Sequence, residues 1–311
     1  MPVRKSLVDR AIEFKSPGRI PIWVDGDHIK HSDILTYDLS LPLEDDPSKS
    51  EWGFARIRGE NGEFQVPTDS FLPDWKTVDL YQPPQADYAR RLAEIPRLAA
   101  VCEDRYRIAS YGLSGYSVYS ALRGADFSAV DFLVETDRFI EVMELIFEFE
   151  SQMFDLLVRK GFHAVEFCDD WGPRGTSKIT LSLWRCLLKN YYAREFRLAR
   201  DSGLHIWFTT SSECTEFYGD LKEIGVDVVR IEKPYDVELA NLGRQYRGKL
   251  CFAVRLDELI TMQEDDEINV QHIFDCLAAP NGGFIATVAD NVPEKKIARI
   301  ASIAEKIKYQ R

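Results

Sequence analysis

The chain has 311 residues, 45% hydrophobic and 29% charged, a composition that can bury a large core and excludes disorder as the default. Its 51 acidic and 39 basic residues give a net charge of −12, which excludes a general affinity for nucleic acid or anionic membrane surfaces. No apolar run has the length of a signal peptide core or a membrane span, so we expect a cytoplasmic protein. A small molecule or another protein is the expected partner.

Short β-rich runs alternate with amphipathic helical stretches along the chain. Residues 19–24 and 106–112 have the β-branched and aromatic content of strands, and residues 130–160 carry the longest helical stripe of apolar side chains. Residues 28–96, rich in Pro, Gly and Asp, predict a long irregular excursion. Five further β-rich runs, each followed by helical periodicity, lie at residues 164–168, 205–209, 226–231, 250–256 and 283–288.

This alternation predicts a (β/α)8 barrel that forms a single domain over residues 1–311, with the 28–96 excursion lying over the barrel mouth. An open doubly wound sheet is the alternative. That fold would be favoured by a G-x-G-x-x-G motif after an early strand, and the sequence has none. Because active sites of such barrels lie at the carboxyl ends of the strands, polar residues that follow strands are the site candidates.

Several segments resemble the uroporphyrinogen decarboxylase superfamily, and in particular its methylcobalamin:coenzyme M methyltransferase-like branch. VEFCDDWG at residues 165–172, followed by TLSLWRCLLKNYY, is similar to the F-x-D-D-W-G and S-x-x-x-W-R patterns of that branch. Residues 203–225 resemble its G-x-H-x-x-x-H-S-C-G strand and the helix after it. The opening RKSLVDRAIEFKSPGRIPIWV and residues 282–291 resemble its first and last strands. The resemblance implies the barrel fold.

The resemblance argues against porphyrinogen decarboxylation. True decarboxylases of the superfamily bind substrate carboxylates with arginines in the segment after the first strand. Here the two arginine positions hold Gly26 and Lys30, and Asp25, Asp27 and His28 lie beside them. Carboxylates at this point would repel a polyanionic substrate.

The resemblance also implies a zinc site that this chain has altered. The methyltransferase branch binds zinc through the His and Cys of an H-x-C motif and a later Cys, and the corresponding positions hold Thr209, Ser211 and, approximately, Asp290. Hydroxyl groups are poor zinc ligands, and one carboxylate cannot hold the ion, so we expect no metal ligands and no thiol-activating zinc. The expected cofactor is a corrinoid, such as methylcobalamin, delivered by a partner protein. Homodimers are common in the family, so a homodimer is expected.

Residues near the strand ends form the predicted site, and most have a structural alternative. Asp169 and Asp170 are predicted to act as general acid or base, or else to cap the turn and helix that follow. Trp171 would form a flat wall for an aromatic or corrinoid ring, or belong to the core. The other predicted substrate-binding residues are His28, Tyr116, His205, Thr209, Ser211, Arg230 and Asp290. For Tyr116 and His205 the alternative is core packing.

The loop around His28 has two interpretations. With His31, Asp25 and Asp27 it would bind a metal or shuttle protons, or else it is a solvated loop.

Three functions fit these observations. The first is a methyltransferase-like enzyme for a small organic substrate, which exchanges a methyl group with a corrinoid protein and uses no thiol-activating zinc. The second is a decarboxylase or lyase for a small carboxylate, with Asp169 or Asp170 as acid and Arg230 or Arg255 as carboxylate clamp. The third is a non-catalytic ligand-binding descendant, which the loss of metal ligands favours. We take the first as the working prediction.

Overall fold

The computed structural model describes residues 4–26, 29–59, 64–85, 104–171, 179–210, 214–234 and 237–309. Within these ranges eight parallel strands with flanking helices form a nearly closed sheet, which confirms the predicted (β/α)8 barrel. The strands are β1 (Ile22–Val24), β2 (Ile34–Asp38), β3 (Tyr106–Ser110), β4 (Ala164–Cys168), β5 (His205–Thr210), β6 (Val228–Ile231), β7 (Cys251–Arg255) and β8 (Phe284–Val288). They pair in the order β1-β8-β7-β6-β5-β4-β3-β2.

Helices connect the strands and cover the sheet. The described α-helices are α1 (Arg4–Ile12), α2 (Trp75–Leu80), α3 (Gly115–Arg123), α4 (Ala125–Val134), α5 (Thr136–Ser151), α6 (Phe154–Arg159), α7 (Leu181–Leu187), α8 (Lys189–Asp201), α9 (Tyr218–Glu223), α10 (Leu239–Tyr246), α11 (Asp266–Leu277) and α12 (Glu294–Lys306). The predicted stripe over residues 130–160 is therefore divided among three helices, α4, α5 and α6. Of the described helices, none is long and apolar enough to cross a membrane.

The barrel closes between β1 and β2 through the two residues that precede β2. Asp33 donates its backbone N–H to the Ile22 carbonyl at 2.7 Å, and its carboxylate accepts the Ile22 N–H at 2.9 Å. The Ser32 hydroxyl accepts the Val24 N–H at 3.0 Å. Arg19 holds the Asp33 carboxylate in place with two bonds of 2.7 and 2.8 Å. Side chains thus supply much of the closure at this seam.

Helix α1 covers the amino-terminal end of the barrel. Its buried residues Val8, Ala11 and Ile12 belong to the same apolar cluster as Trp23 and Trp207 inside the barrel. The two indole rings meet edge to face, with centroids 5.3 Å apart. This end of the interior is therefore filled, and the opposite end is left for a site.

Strand β2 corrects the predicted start of the irregular excursion. It lies within residues 28–96, where we predicted no strand, and it pairs in parallel with β3. Only the 3-10 turn Ile29–His31 separates β1 from β2, so the strand–helix period that reveals the other strands is missing here. The excursion begins after Asp38 and contains α2 and a short hairpin of Ile57–Arg58 with Phe64–Gln65. The five strands predicted in the second half are confirmed.

Candidate active site

The carboxyl-terminal half of the barrel interior is lined by polar side chains. Alternate residues of a strand point to the same face, and the apolar interior layer includes Ala164, Trp207, Val228, Ala253 and Ile285. Two residues later on the same strands come Glu166, Thr209, Arg230, Arg255 and Thr287. We call these five, together with Asp25, Glu232 and Asp257 just beyond the ends of β1, β6 and β7, the mouth cluster. Its position is that of the active site in barrels of this type.

Arg230 lies at the centre of the mouth cluster. Its guanidinium lies 4.3 Å from the centre of the Trp23 ring and binds Asp25 at 2.6 Å. Glu232 also contacts it, and Glu166 lies 3.8 Å away. Burial disfavours the charged guanidinium, but the three carboxyls outweigh burial and raise the pKa of Arg230. Arg230 is therefore a permanent cation at this point.

Glu166 is the most buried carboxyl around Arg230. Its Oε1 accepts a hydrogen bond from the Thr209 hydroxyl at 2.7 Å. Burial raises the pKa of Glu166, while Arg230 and Thr209 act in the opposite direction. A carboxyl whose pKa is raised toward neutrality can act as a general acid or base, so this geometry makes Glu166 a candidate for proton transfer.

Arg255 forms the second ion pair of the mouth cluster. Its guanidinium binds Asp257 at 3.0 Å and lies 3.5 Å from Glu232. Glu232 therefore lies between the two arginines. Burial raises the pKa of Glu232, and the charges of Arg230 and Arg255 act against this rise. The arginines and carboxyls form one connected network.

The two inward threonines offer a matched pair of variants. Thr209→Val removes the hydrogen bond to the buried Glu166, so we expect the free energy of unfolding to fall by about 1–2 kcal/mol. Thr287→Val removes a hydroxyl for which the described residues offer no hydrogen-bond partner, so it should leave that free energy unchanged or slightly higher. Urea denaturation of both variants measures the difference. An equal loss in the two would contradict the role assigned to Thr209.

Asp169 points to the N-terminus of α3. Its carboxylate accepts the backbone N–H groups of Tyr116 at 2.9 Å and Ser117 at 2.8 Å, and Tyr192 also contacts it. Burial raises the pKa of Asp169 to about 6, although the hydrogen bonds from Tyr192 and Ser117 oppose the rise. Ser114, at the cap position of α3, makes no side-chain cap bond, so Asp169 takes over that function from another element.

The geometry of Asp169 is that of a helix cap, and its role as general acid stays a prediction. Asp170 is half-buried and donates its N–H to the Ser117 hydroxyl at 3.0 Å. Its predicted catalytic role is also untested.

Two further buried carboxyls lie behind Asp169. Glu150 on α5 accepts the Gly115 N–H at 2.9 Å, and Glu195 on α8 lies within hydrogen-bonding reach of Glu150. Burial raises the pKa of Glu150 to about 8 and also raises the pKa of Glu195, to which the nearby Glu150 charge contributes. The two groups therefore favour a state in which they share a proton.

The structure places Trp171 and Tyr116 in packed surroundings. Trp171 is buried, with its ring centre 4.8 Å from that of Phe208 and 5.0 Å from that of Trp184. Tyr116 is buried on α3 and donates its hydroxyl to the Ser128 carbonyl at 2.8 Å. These contacts are those of the core alternatives.

The other predicted residues are spread over the barrel. His205 opens β5 at the amino-terminal end, with its Nδ1 2.7 Å from the Tyr106 hydroxyl. Asp290 is exposed beyond β8 and lies against Gly26, where a Cβ atom would meet the Asp290 carboxylate at 1.5 Å. His28 and Ser211 lie outside the described residues. Of the predicted set, the structure brings Thr209 and Arg230 together.

Sequence reasoning identified Glu232 and Asp257 as charged residues at the strand ends but missed two inward-facing members of the mouth cluster, Glu166 and Thr287. Both interrupt strands that are otherwise apolar. Period-two alternation carried through each strand end would have indicated them.

Two of the three positions that the resemblance aligns with zinc ligands lie within the described residues, Thr209 and Asp290. Thr209 donates its hydroxyl to Glu166, and Asp290 is exposed. Within the described ranges no three His, Cys, Asp or Glu side chains are grouped to hold a metal. The expectation that zinc is not used stays a prediction, because Ser211 lies outside those ranges.

No family model and no curated protein matches the chain. Among solved structures it is similar to a methyltransferase from Methanosarcina mazei, with a TM-score of 0.68, 10% identity and coverage of 98% of this chain and 99% of that chain. An uncharacterized B. cereus protein is less similar, with a TM-score of 0.37, 13% identity and coverage of 51% of this chain and 41% of that chain. For 3-keto-L-gulonate-6-phosphate decarboxylase from Vibrio cholerae the TM-score is 0.35, the identity 10%, and the coverage 70% of this chain and 81% of that chain. At 10% identity the similarity to the Methanosarcina mazei protein shows the barrel fold alone.

Proposed function

We propose that the protein is a methyltransferase-like enzyme of the uroporphyrinogen decarboxylase superfamily that binds a small organic substrate in the mouth cluster. One observation carries the proposal: two guanidiniums and four carboxyls meet inside the carboxyl end of the barrel, where apolar side chains would serve folding better. Proteins retain such costly groups mainly at functional sites. The sequence resemblance and the full-length similarity to a methyltransferase favour methyl transfer over other barrel reactions.

The arrangement of the arginines gives less support to a decarboxylase. A substrate carboxylate clamped by Arg230 or Arg255 would compete with Asp25, Asp257 and Glu232, which already bind these guanidiniums. Of the two acids predicted for that mechanism, Asp169 and Asp170, the first accepts hydrogen bonds at the N-terminus of α3, and the second stays a prediction. We therefore prefer the methyltransferase.

In the proposed enzyme Glu166 exchanges a proton with the substrate, and Arg230 positions Asp25 and Glu232. A corrinoid on a partner protein would supply the methyl-carrying cobalt, and this chain would bind and orient the organic substrate. Thiol-activating zinc has no part in the proposal. The homodimer expected from the resemblance stays a prediction.

Methyl-transfer assays on the full chain test this function. The protein is mixed with methylcobalamin and a panel of small amines, alcohols and thiols, and methylated products are measured by mass spectrometry. We expect turnover with one class of substrate and a rate at least about 100-fold lower for Glu166→Gln, the usual effect of losing a general acid–base. Exposed Glu144 on α5 provides the matched control, and Glu144→Gln should leave the rate unchanged.

Two outcomes would overturn the proposal. Carbon dioxide release from small carboxylic acids without methyl transfer would indicate the lyase. Neither reaction, across the panel, would indicate a ligand-binding protein.

A further inference from the structure

The mouth cluster contains more carboxyls than guanidiniums. Asp25, Glu166 and Glu232 surround Arg230, and Asp257 binds Arg255. Each arginine is already matched inside the cluster, so in the described part of the site the carboxyls exceed the cations. Excess negative charge at a half-buried site attracts cations and repels anions, because screening by water is weak there.

Two of these carboxyls are accessible to a ligand. The Asp25 side chain keeps 24% of its surface exposed and the Glu232 side chain 20%, whereas Glu166 keeps only 4%. An ionised carboxyl has about four acceptor positions, so a bond to Arg230 leaves room for further donors. A ligand that enters the cluster therefore meets Asp25 and Glu232 first.

Thr287 gives an independent indication of a ligand. This residue is fully buried on β8 and pairs in register with Trp23 on β1 and Arg255 on β7. Alternation with Ile285, which belongs to the interior cluster, points its side chain into the barrel. Throughout the part of the chain that the structure describes, its hydroxyl has no hydrogen-bond partner. Buried hydroxyls are nearly always bonded, so a ligand group is expected to complete this one.

We infer, on the basis of the proposed function, that the mouth cluster binds a small organic cation of the ammonium type between Asp25, Glu232 and Thr287. The Trp23 ring beneath Arg230 shows that this layer of the interior accommodates a cation against an aromatic face. Transfer of a methyl group from a protonated methylamine to a corrinoid would break a C–N bond whose electron pair stays on nitrogen. The N–H of such a substrate can donate to Thr287, and the released amine would take up a proton from Glu166 or water.

Isothermal titration calorimetry on the full chain tests the inference with three probes of similar size: trimethylammonium, neutral tert-butanol and anionic pivalate. We expect trimethylammonium to bind at least about tenfold more tightly than tert-butanol, equivalent to ~1.4 kcal/mol. Pivalate should not bind. Binding of the alcohol or of pivalate as tight as that of the cation, or no binding of the cation, would overturn the inference.

Variants locate the binding site. Glu232→Gln removes one charge at nearly constant shape and should weaken trimethylammonium binding about tenfold, whereas the exposed Glu144→Gln should have no effect. Thr287→Val should weaken binding several-fold without loss of stability, which keeps the test valid even if Glu232→Gln fails to fold. Unchanged affinity in folded Thr287→Val would contradict the assigned position of the ligand.

The binding test and the activity test can fail separately. Cation binding without methyl transfer to or from any compound of the panel would support the inference and contradict the proposed function. Methyl transfer with neutral or anionic substrates, together with no cation binding, would support the function and overturn the inference.

Discussion

Replacing Arg230 with methionine should lower the free energy of unfolding by about 3–5 kcal/mol, the usual cost of removing one partner from a buried ion pair. The loss is electrostatic, because methionine keeps much of the side-chain volume over Trp23 while Asp25, Glu166 and Glu232 lose the cation they share. The loss should shrink at acidic pH. Burial already raises the pKa of Glu166 and of Glu232, so both take up protons readily once Arg230 is gone.

Arg185→Met is the matched control for this prediction. The Arg185 guanidinium is half exposed and binds Asp220, which keeps its second partner Lys189 when Arg185 is replaced. Its removal should cost much less than the removal of Arg230, as for other exposed pairs. Urea unfolding of both variants at an acidic and at a neutral pH measures the difference. Similar losses in the two variants, or a loss at Arg230 that does not depend on pH, would be inconsistent with this account.

Glu195→Gln should reduce the pH dependence of stability, because it removes one of the two buried carboxyls, Glu150 and Glu195, whose pKa values burial raises. Burial raises the pKa of Glu150 to about 8 in the folded protein, from its ordinary value of 4.5, and Glu195 is coupled to it. The folded state therefore binds protons more tightly than the unfolded state. This contribution to stability is fully present below pH 4.5 and is lost as the pH rises through 8. A shift of this size corresponds to roughly 3–5 kcal/mol.

The quantity to measure is the difference in the free energy of unfolding between Glu195→Gln and the wild type at each pH. Burial lowers the pKa of His163 to about 3, so this histidine makes stability rise with pH over part of the same range, and it does so equally in both proteins. In Glu195→Gln the neutral amide can donate to Glu150, so the variant should gain stability over the wild type as the pH increases. Denaturant unfolding from about pH 5 to 9 checks this. A constant difference across that range would show that the pair shares no proton.

The sequence predicted the barrel well where strands and helices alternate, and poorly where they do not. β4, β7 and β8 were predicted close to their observed ends, because each is a buried apolar run followed by a periodic helix. β2 was missed because its neighbour β1 precedes it without a helix, and the loop after it is irregular. A local sequence pattern does not show that two short strands become neighbours when the barrel closes.

The candidate site could be predicted only in part. The motif at residues 165–172 predicted Asp169 as a site residue. Its carboxylate points away from the barrel interior and caps α3. The residue that faces the interior is Glu166, three positions earlier in the same motif. Which of two neighbouring acids points inward depends on the strand's orientation in the barrel, which the motif does not encode.

Opening of the barrel at the seam between β1 and β2 would expose the mouth cluster. The amides of Ile22 and Val24 are bonded to side-chain oxygens of Asp33 and Ser32, which can rotate away without breaking a continuous backbone ladder. Local fluctuations should therefore begin here more readily than between other strands. Asp25 follows β1 directly, and its N–H is bonded to the Val288 carbonyl of β8, so opening between β1 and β2 would leave Asp25 in place and expose the cluster from the side. A ligand would then have a lateral route to the cluster besides the barrel mouth.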